Sequence, residues 1–169
     1  MIKNSMNNMP RILFCLISTF AFQVHAEPTP TAHSQDGKNV VALVNKAKEY
    51  IESHGKVEAM KEFNKKVGLF SKDSSYVFAV AYDGTYLATI NYPNLVGVNQ
   101  FSLKDPHRTF LVKEEINKAK LGGGWLKPRL KKNPHTGKHE CKASYVIAME
   151  GDYLIGSGYY YQPDRAGKC

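Results

Sequence analysis

Apolar residues in the first half of the chain recur three and four positions apart. Over residues 39–54, Val40, Val41, Leu43, Val44, Ala47, Tyr50 and Ile51 interleave with Lys, Glu and Asn. This spacing predicts an amphipathic helix, stopped by Gly55. A second, short helix is expected over residues 56–64, with Val57, Met60 and Phe63 on one side. Past Gly68 the pattern changes to β-branched and aromatic runs. Residues 76–82 and 85–90 read as a hairpin around the tight-turn pair Asp83-Gly84. Residues 91–97 read as a loop, because Pro93 lacks a donor and Gly97 permits a turn.

Residues 110–120 return to helical spacing, with Phe110, Leu111, Ile116 and Ala119 apolar among charges, until Gly122-Gly123-Gly124 breaks it. Residues 125–131 contain Pro128 and predict an irregular or edge strand. A turn at 133–137 precedes two last strands, 140–149 and 153–160, joined by Glu150-Gly151-Asp152. The order is that of an α+β domain. It implies one antiparallel sheet of about five strands, with a long N-terminal helix on one side and a ligand-facing side on the other.

Residues 1–26 stand apart from this pattern. Lys3 and Arg11 precede an apolar run at 12–22, of signal-peptide length and short of the roughly 20 residues a spanning helix needs. Val24-His25-Ala26 predicts cleavage after Ala26, and hence a periplasmic or secreted protein. Residues 27–37 carry two prolines and no periodicity, and read as a disordered mature tail. Residues 38–169 are then a single domain, with no transmembrane segment expected in the mature chain.

Charge narrows the partners. The chain has 23 Lys and Arg against 15 Asp and Glu, and removing Lys3 and Arg11 leaves a net charge of +6. A basic surface attracts anions, but the charges are spread and an exported protein rarely meets nucleic acid, so no nucleic-acid partner is expected. Of three cysteines, Cys15 leaves with the signal. Cys141 and Cys169 remain, and an even number in an oxidising compartment predicts a disulfide. The rival reading keeps Cys141 as a free thiol, beside His139 as a nucleophile pair or with His135 and His139 as metal ligands. No Gly-x-Ser-x-Gly, phosphate loop or apolar carboxylate pair is present, so neither an enzyme nor a cofactor is expected.

Several segments, in order, resemble a single Cache domain, the PAS-like extracytoplasmic sensor module. They are Ala47-Lys48-Glu49-Tyr50-Ile51 with Ala59-Met60-Lys61-Glu62-Phe63-Asn64, Tyr76-Val77-Phe78 with Asp83-Gly84, and Pro93-Asn94-Leu95-Val96-Gly97-Val98-Asn99. Gly124-Trp125, Asn133-Pro134-His135-Thr136-Gly137-Lys138, Lys142-Ala143-Ser144-Tyr145 and Gly151-Asp152-Tyr153-Leu154-Ile155-Gly156-Ser157-Gly158 complete the match. The resemblance implies a pocket for a small molecule, often a short carboxylate or an amino acid. It also implies a role in signal transduction or chemotaxis with a membrane partner. Thr89 and Tyr92 stand where similar domains often have His and Asn, so the usual ligand is not implied.

The candidate site follows from these readings. Arg129 is the first choice for the anion, because its planar fork grips a carboxylate with two hydrogen bonds; Lys127 and Lys131 share its strand face. Lys142 and Tyr145 lie in the segment that the resemblance assigns to the pocket, but their spacing puts them on opposite faces of a regular strand. Trp125, Tyr76, Phe78 and Tyr92 are candidate apolar walls. The expected function is binding of a small organic anion. The alternative is a protein-interaction module of the envelope whose pocket is filled by its own side chains.

Overall fold

The structure, a computed structural model, describes residues 34–72, 75–105 and 108–169. The expected signal peptide, residues 1–26, lies outside the described residues.

Helix α1 spans Gln35–His54. The Ser34 hydroxyl accepts from Gly37 N at 3.0 Å and supplies the N-cap, so the helix begins four residues before the expected start. Gln35–Gly37, read above as the end of a disordered tail, therefore belongs to the helix; polar residues and a glycine in a first turn leave no apolar periodicity to find. Val40, Val44, Ala47 and Ile51 are buried at four-three-four spacing. Gly55, at φ 80°, ends α1 and leads into α2, Lys56–Phe63. Here Ala59 and Phe63 face inward, whereas Val57 is exposed.

A two-stranded ribbon follows, β1 (Ser71–Lys72) with β2 (Ser75–Tyr76). The main sheet comprises β3 (Phe78–Ala81), β4 (Tyr86–Thr89), β5 (Gly124–Trp125), β6 (Arg129–Lys132), β7 (His139–Met149) and β8 (Tyr153–Tyr161). Its order is β4-β3-β8-β7-β5, antiparallel throughout, with β6 on the same edge of β7 further along. The expected edge strand is thus split in two, and Pro128 lies in the gap. The expected five-strand arrangement is present, its last position filled by two short pieces.

Parity along the two central strands assigns the faces. One face carries Ala143, Tyr145, Ile147, Tyr153, Ile155 and Tyr159 and packs against α1. The other carries Val146 and Leu154, with Phe78 and Val80 from β3. It packs against Val112, Ile116 and Ala119 of α3, Leu111–Lys120. At roughly 1.5–3 kcal/mol for each fully buried large aliphatic or aromatic side chain, these two clusters supply most of the driving force. Cys141, on the α1 face, is bonded to Cys169 with Cα atoms 5.5 Å apart, as the cysteine count predicts. The bond removes Cys141 from the thiol and metal-ligand readings.

Candidate functional site

The α3 face holds the site. Strand alternation places Lys142 there, with Tyr160 opposite on β8 and Arg129 opposite on β6. Phe78 and its partner Thr89 reach the same face from β3 and β4. Two positions of β8 on this face are glycines, and their missing side chains form the floor. A Cβ at Gly158 would sit 2.4 Å from the Ala143 carbonyl oxygen and 3.1 Å from Lys142 Cε; one at Gly156 would sit 2.6 Å from Phe78 Cζ. Lys142 and Phe78 can lie across the sheet only because these Cβ atoms are absent. Gly158→Ala is therefore expected to destabilise the protein by about 1–3 kcal/mol through overpacking. A lower urea midpoint at unchanged slope would show it, and an unchanged midpoint would refute the close approach.

Tyr76, Phe78, Tyr86, Thr89, Tyr92, Glu115, Lys131, Lys142 and Tyr160 enclose a chamber of about 30 Å³. Its electrostatics are those of two cations and one acid held away from water. Lys142 is only 7% exposed; its Nζ donates to Tyr76 Oη at 3.0 Å and lies 4.7 Å from the Tyr76 ring centroid. Burial pushes its pKa down to about 8, with the Glu115 carboxylate pulling the other way. Burial and the neighbouring Lys142 charge lower Lys131, while burial raises Glu115 against the pull of both lysines. Burial also raises the Tyr76 hydroxyl to about 12 and moves Tyr160 upward, so both phenols keep their protons. Glu115 Oε2 and Tyr160 Oη are buried without a hydrogen-bond partner among the described residues. Each such atom costs about 1–3 kcal/mol. Two of them border one small hollow.

The chamber shares Tyr86, Tyr92 and Lys131 with an open cleft of about 710 Å³. Leu95 and the 100–105 loop form one side of the cleft, and Leu111 and Val112 of α3 and Leu130 of β6 the other. The ammonium of Lys113 lies over the rings of Phe101 and Phe110, at 4.7 and 4.2 Å, and ties that loop to α3.

Of the residues expected from sequence, Lys142, Tyr76, Phe78 and Tyr92 meet in the chamber. Arg129 is on the correct face but is already occupied. Its guanidinium pairs with Glu114 at 2.5 Å and donates to Thr109 Oγ1 at 3.1 Å, so both arms of the fork already have a protein partner. Lys131, two residues on and on the same face, lines the chamber. Trp125 and Tyr145 are elsewhere: they pair across β5 and β7 on the α1 face, ring centroids 5.4 Å apart, in the cluster with Val40 and Tyr159. Odd spacing from Lys142 already puts Tyr145 on the opposite face. Glu115, Tyr86 and Tyr160 were not foreseen as site residues. The signal for Tyr160 is its even spacing from Gly156 and Gly158.

Comparison with known proteins agrees with this architecture. A family model described as a Cache domain matches residues 30–163. The sensor histidine kinase MctS of Rhizobium johnstonii is 32% identical over 92 residues, 54% of this chain but only 20% of that protein's length. A methyl-accepting chemotaxis protein from Vibrio parahaemolyticus superposes with a TM-score of 0.63 at 20% identity, over 73% of this chain and 86% of that one. A solved structure described as the structural basis for carboxylic acid recognition by a Cache chemosensory domain superposes with a TM-score of 0.57 at 19% identity. It covers 74% of this chain and 88% of its own.

Proposed function

The chain belongs to the Cache domain family, and from that premise we propose that it is a sensor module outside the cytoplasm that binds a small organic anion by its carboxylate. Binding, not catalysis, is the task assigned to it, in signal transduction or chemotaxis with a membrane receptor or envelope partner. The observation that carries the reading is the pair Lys142 and Lys131, two lysines that line one small aromatic chamber. Burying a cation is expensive unless a counter-charge meets it. Glu115 balances one of them. An incoming carboxylate balances the second, accepts from the remaining Lys142 protons and receives the Tyr160 hydroxyl. The likeness to a domain described as recognising carboxylic acids supports the same chemistry. An interaction module with a self-filled pocket fits less well, because the 710 Å³ cleft beside the chamber lies within the ligand-pocket range of about 300–1,000 Å³.

A thermal-shift panel of organic acids on the purified protein tests the proposal. Ligand at ~100 times its Kd should add about 2.7 kcal/mol of apparent stability. No shift with any carboxylate would sink it.

The binding should also depend on pH with a defined sign. Lys142 titrates near pH 8 in the folded protein, and a bound anion favours its protonated form, with Lys131 repelling and Glu115 attracting that charge. Affinity is therefore level below about pH 8 and falls by about tenfold per unit above it. Binding near pH 8 takes up a proton. Calorimetry in two buffers of different ionisation enthalpy would show that uptake; equal heats in both would exclude it.

A further inference from the structure

We infer that the ligand is an amphipathic carboxylate, its head in the chamber and an unbranched or aromatic apolar tail along the cleft; this rests on the carboxylate reading above. The argument begins with the size mismatch of the two spaces. The chamber, at about 30 Å³, has room for about one small polar group, the size of a water or a carboxylate oxygen pair. A group attached there can continue past the Tyr86–Tyr92–Lys131 boundary, which is also the wall of the 710 Å³ cleft. One part of its lining is aliphatic, Leu95, Leu103, Leu111, Val112 and Leu130 from four separate segments, and Lys104, Asp105, Lys132 and His139 make up a polar part.

Two of these side chains are exposed, Leu103 at 63% and Leu130 at 36%, so the cleft presents apolar surface to water that a hydrocarbon chain would cover. The charge count gives the rest. In the chamber two lysines, Lys131 and Lys142, face one acid, Glu115, while Lys104, Lys132 and Asp105 line the cleft. One carboxylate matches the cationic excess of the chamber.

The test is a series of straight-chain monocarboxylates, acetate, butyrate, hexanoate and octanoate, each kept below its micelle concentration and titrated into the purified protein by calorimetry. Affinity should rise with length by up to about fourfold per added methylene, the full-burial limit. Octanol, with the same tail and no charge, should bind at least ~100-fold more weakly than octanoate. Leu103→Ala, at an exposed position, removes apolar wall without adding charge and should weaken octanoate more than acetate. A flat series, with acetate as tight as octanoate, overturns the tail and leaves the carboxylate reading intact. Octanol as tight as octanoate overturns the carboxylate reading itself, and binding of no member of the series overturns both.

Discussion

Lys142→Met is expected to lose carboxylate binding by ~100-fold or more while leaving the fold at least nearly as stable as before. The two halves of this result have one cause. Lys142 is buried with a pKa pushed from its ordinary 10.5 to about 8, so the folded protein holds its charge against a desolvation penalty. The linkage sign follows. Between those two values the unfolded chain binds the proton more readily than the folded one, so stability falls as pH drops from about 10.5 toward 8, and below 8 the penalty is constant. Methionine has nearly the same length, fills the same space over Gly158, and carries no such penalty. It does remove the donor to Tyr76 Oη, at a cost of about 1 kcal/mol, which partly offsets the gain. The binding loss has no such offset, because the carboxylate would then face Glu115 with Lys131 alone. Calorimetry with the best acid from the panel, beside urea unfolding of both proteins, separates the halves. Wild-type affinity in the variant would show that Lys142 is a structural cation; a large loss of stability would show that its charge holds the fold together.

The fold was legible in the sequence because periodicity reports directly on burial. The four-three-four apolar spacing of α1 and the alternation in β7 and β8 each reflect one buried face. The short ribbon β1–β2 and the split of the edge strand were not read, since two-residue strands carry no period. For the site, alternation says which residues share a face but not which face holds the cavity. Lys142, Tyr76 and Phe78, chosen by chemistry and family likeness, come together in the chamber, while Trp125 and Tyr145, equally plausible as aromatic walls, lie on the opposite face of the sheet. Arg129 shows another limit. Its pairing with Glu114, fifteen positions earlier, arises only when α3 crosses the sheet. Glu115 is the clearest omission. A glutamate in an amphipathic, Lys- and Glu-rich helix reads as solvent-facing, and only the packing of Val112, Ile116 and Ala119 turns it inward.

Reduction of the Cys141–Cys169 bond is expected to lower stability by about 3–4 kcal/mol, from the chain-entropy cost of a loop of this length. The two cysteines are 28 positions apart, and the intervening chain includes all of β8. In the folded protein β8 is already fixed by β3 and β7, so breaking the bridge removes little native structure. The tail beyond Tyr161 is exposed and held mainly by its own turn, in which Asp164 Oδ1 accepts from Lys168 N at 2.7 Å and from Ala166 N at 2.9 Å. The loss therefore falls on the unfolded state, whose chain gains freedom when the loop opens. In a thermal scan the midpoint should drop by about 10–15 °C on adding a reductant that reaches the exposed Cys169. Ligand affinity at low temperature should be unchanged, because Cys141 faces α1 and Lys142 faces the chamber from the opposite side of the same strand. A doubly substituted Cys141→Ala, Cys169→Ala protein should melt near the reduced wild type and ignore the reductant. If the wild-type midpoint did not move although both thiols titrated as free, the bridge would contribute nothing to stability. If affinity fell with the bridge, the two faces of β7 would be coupled and the separation of fold from site along that strand would be wrong.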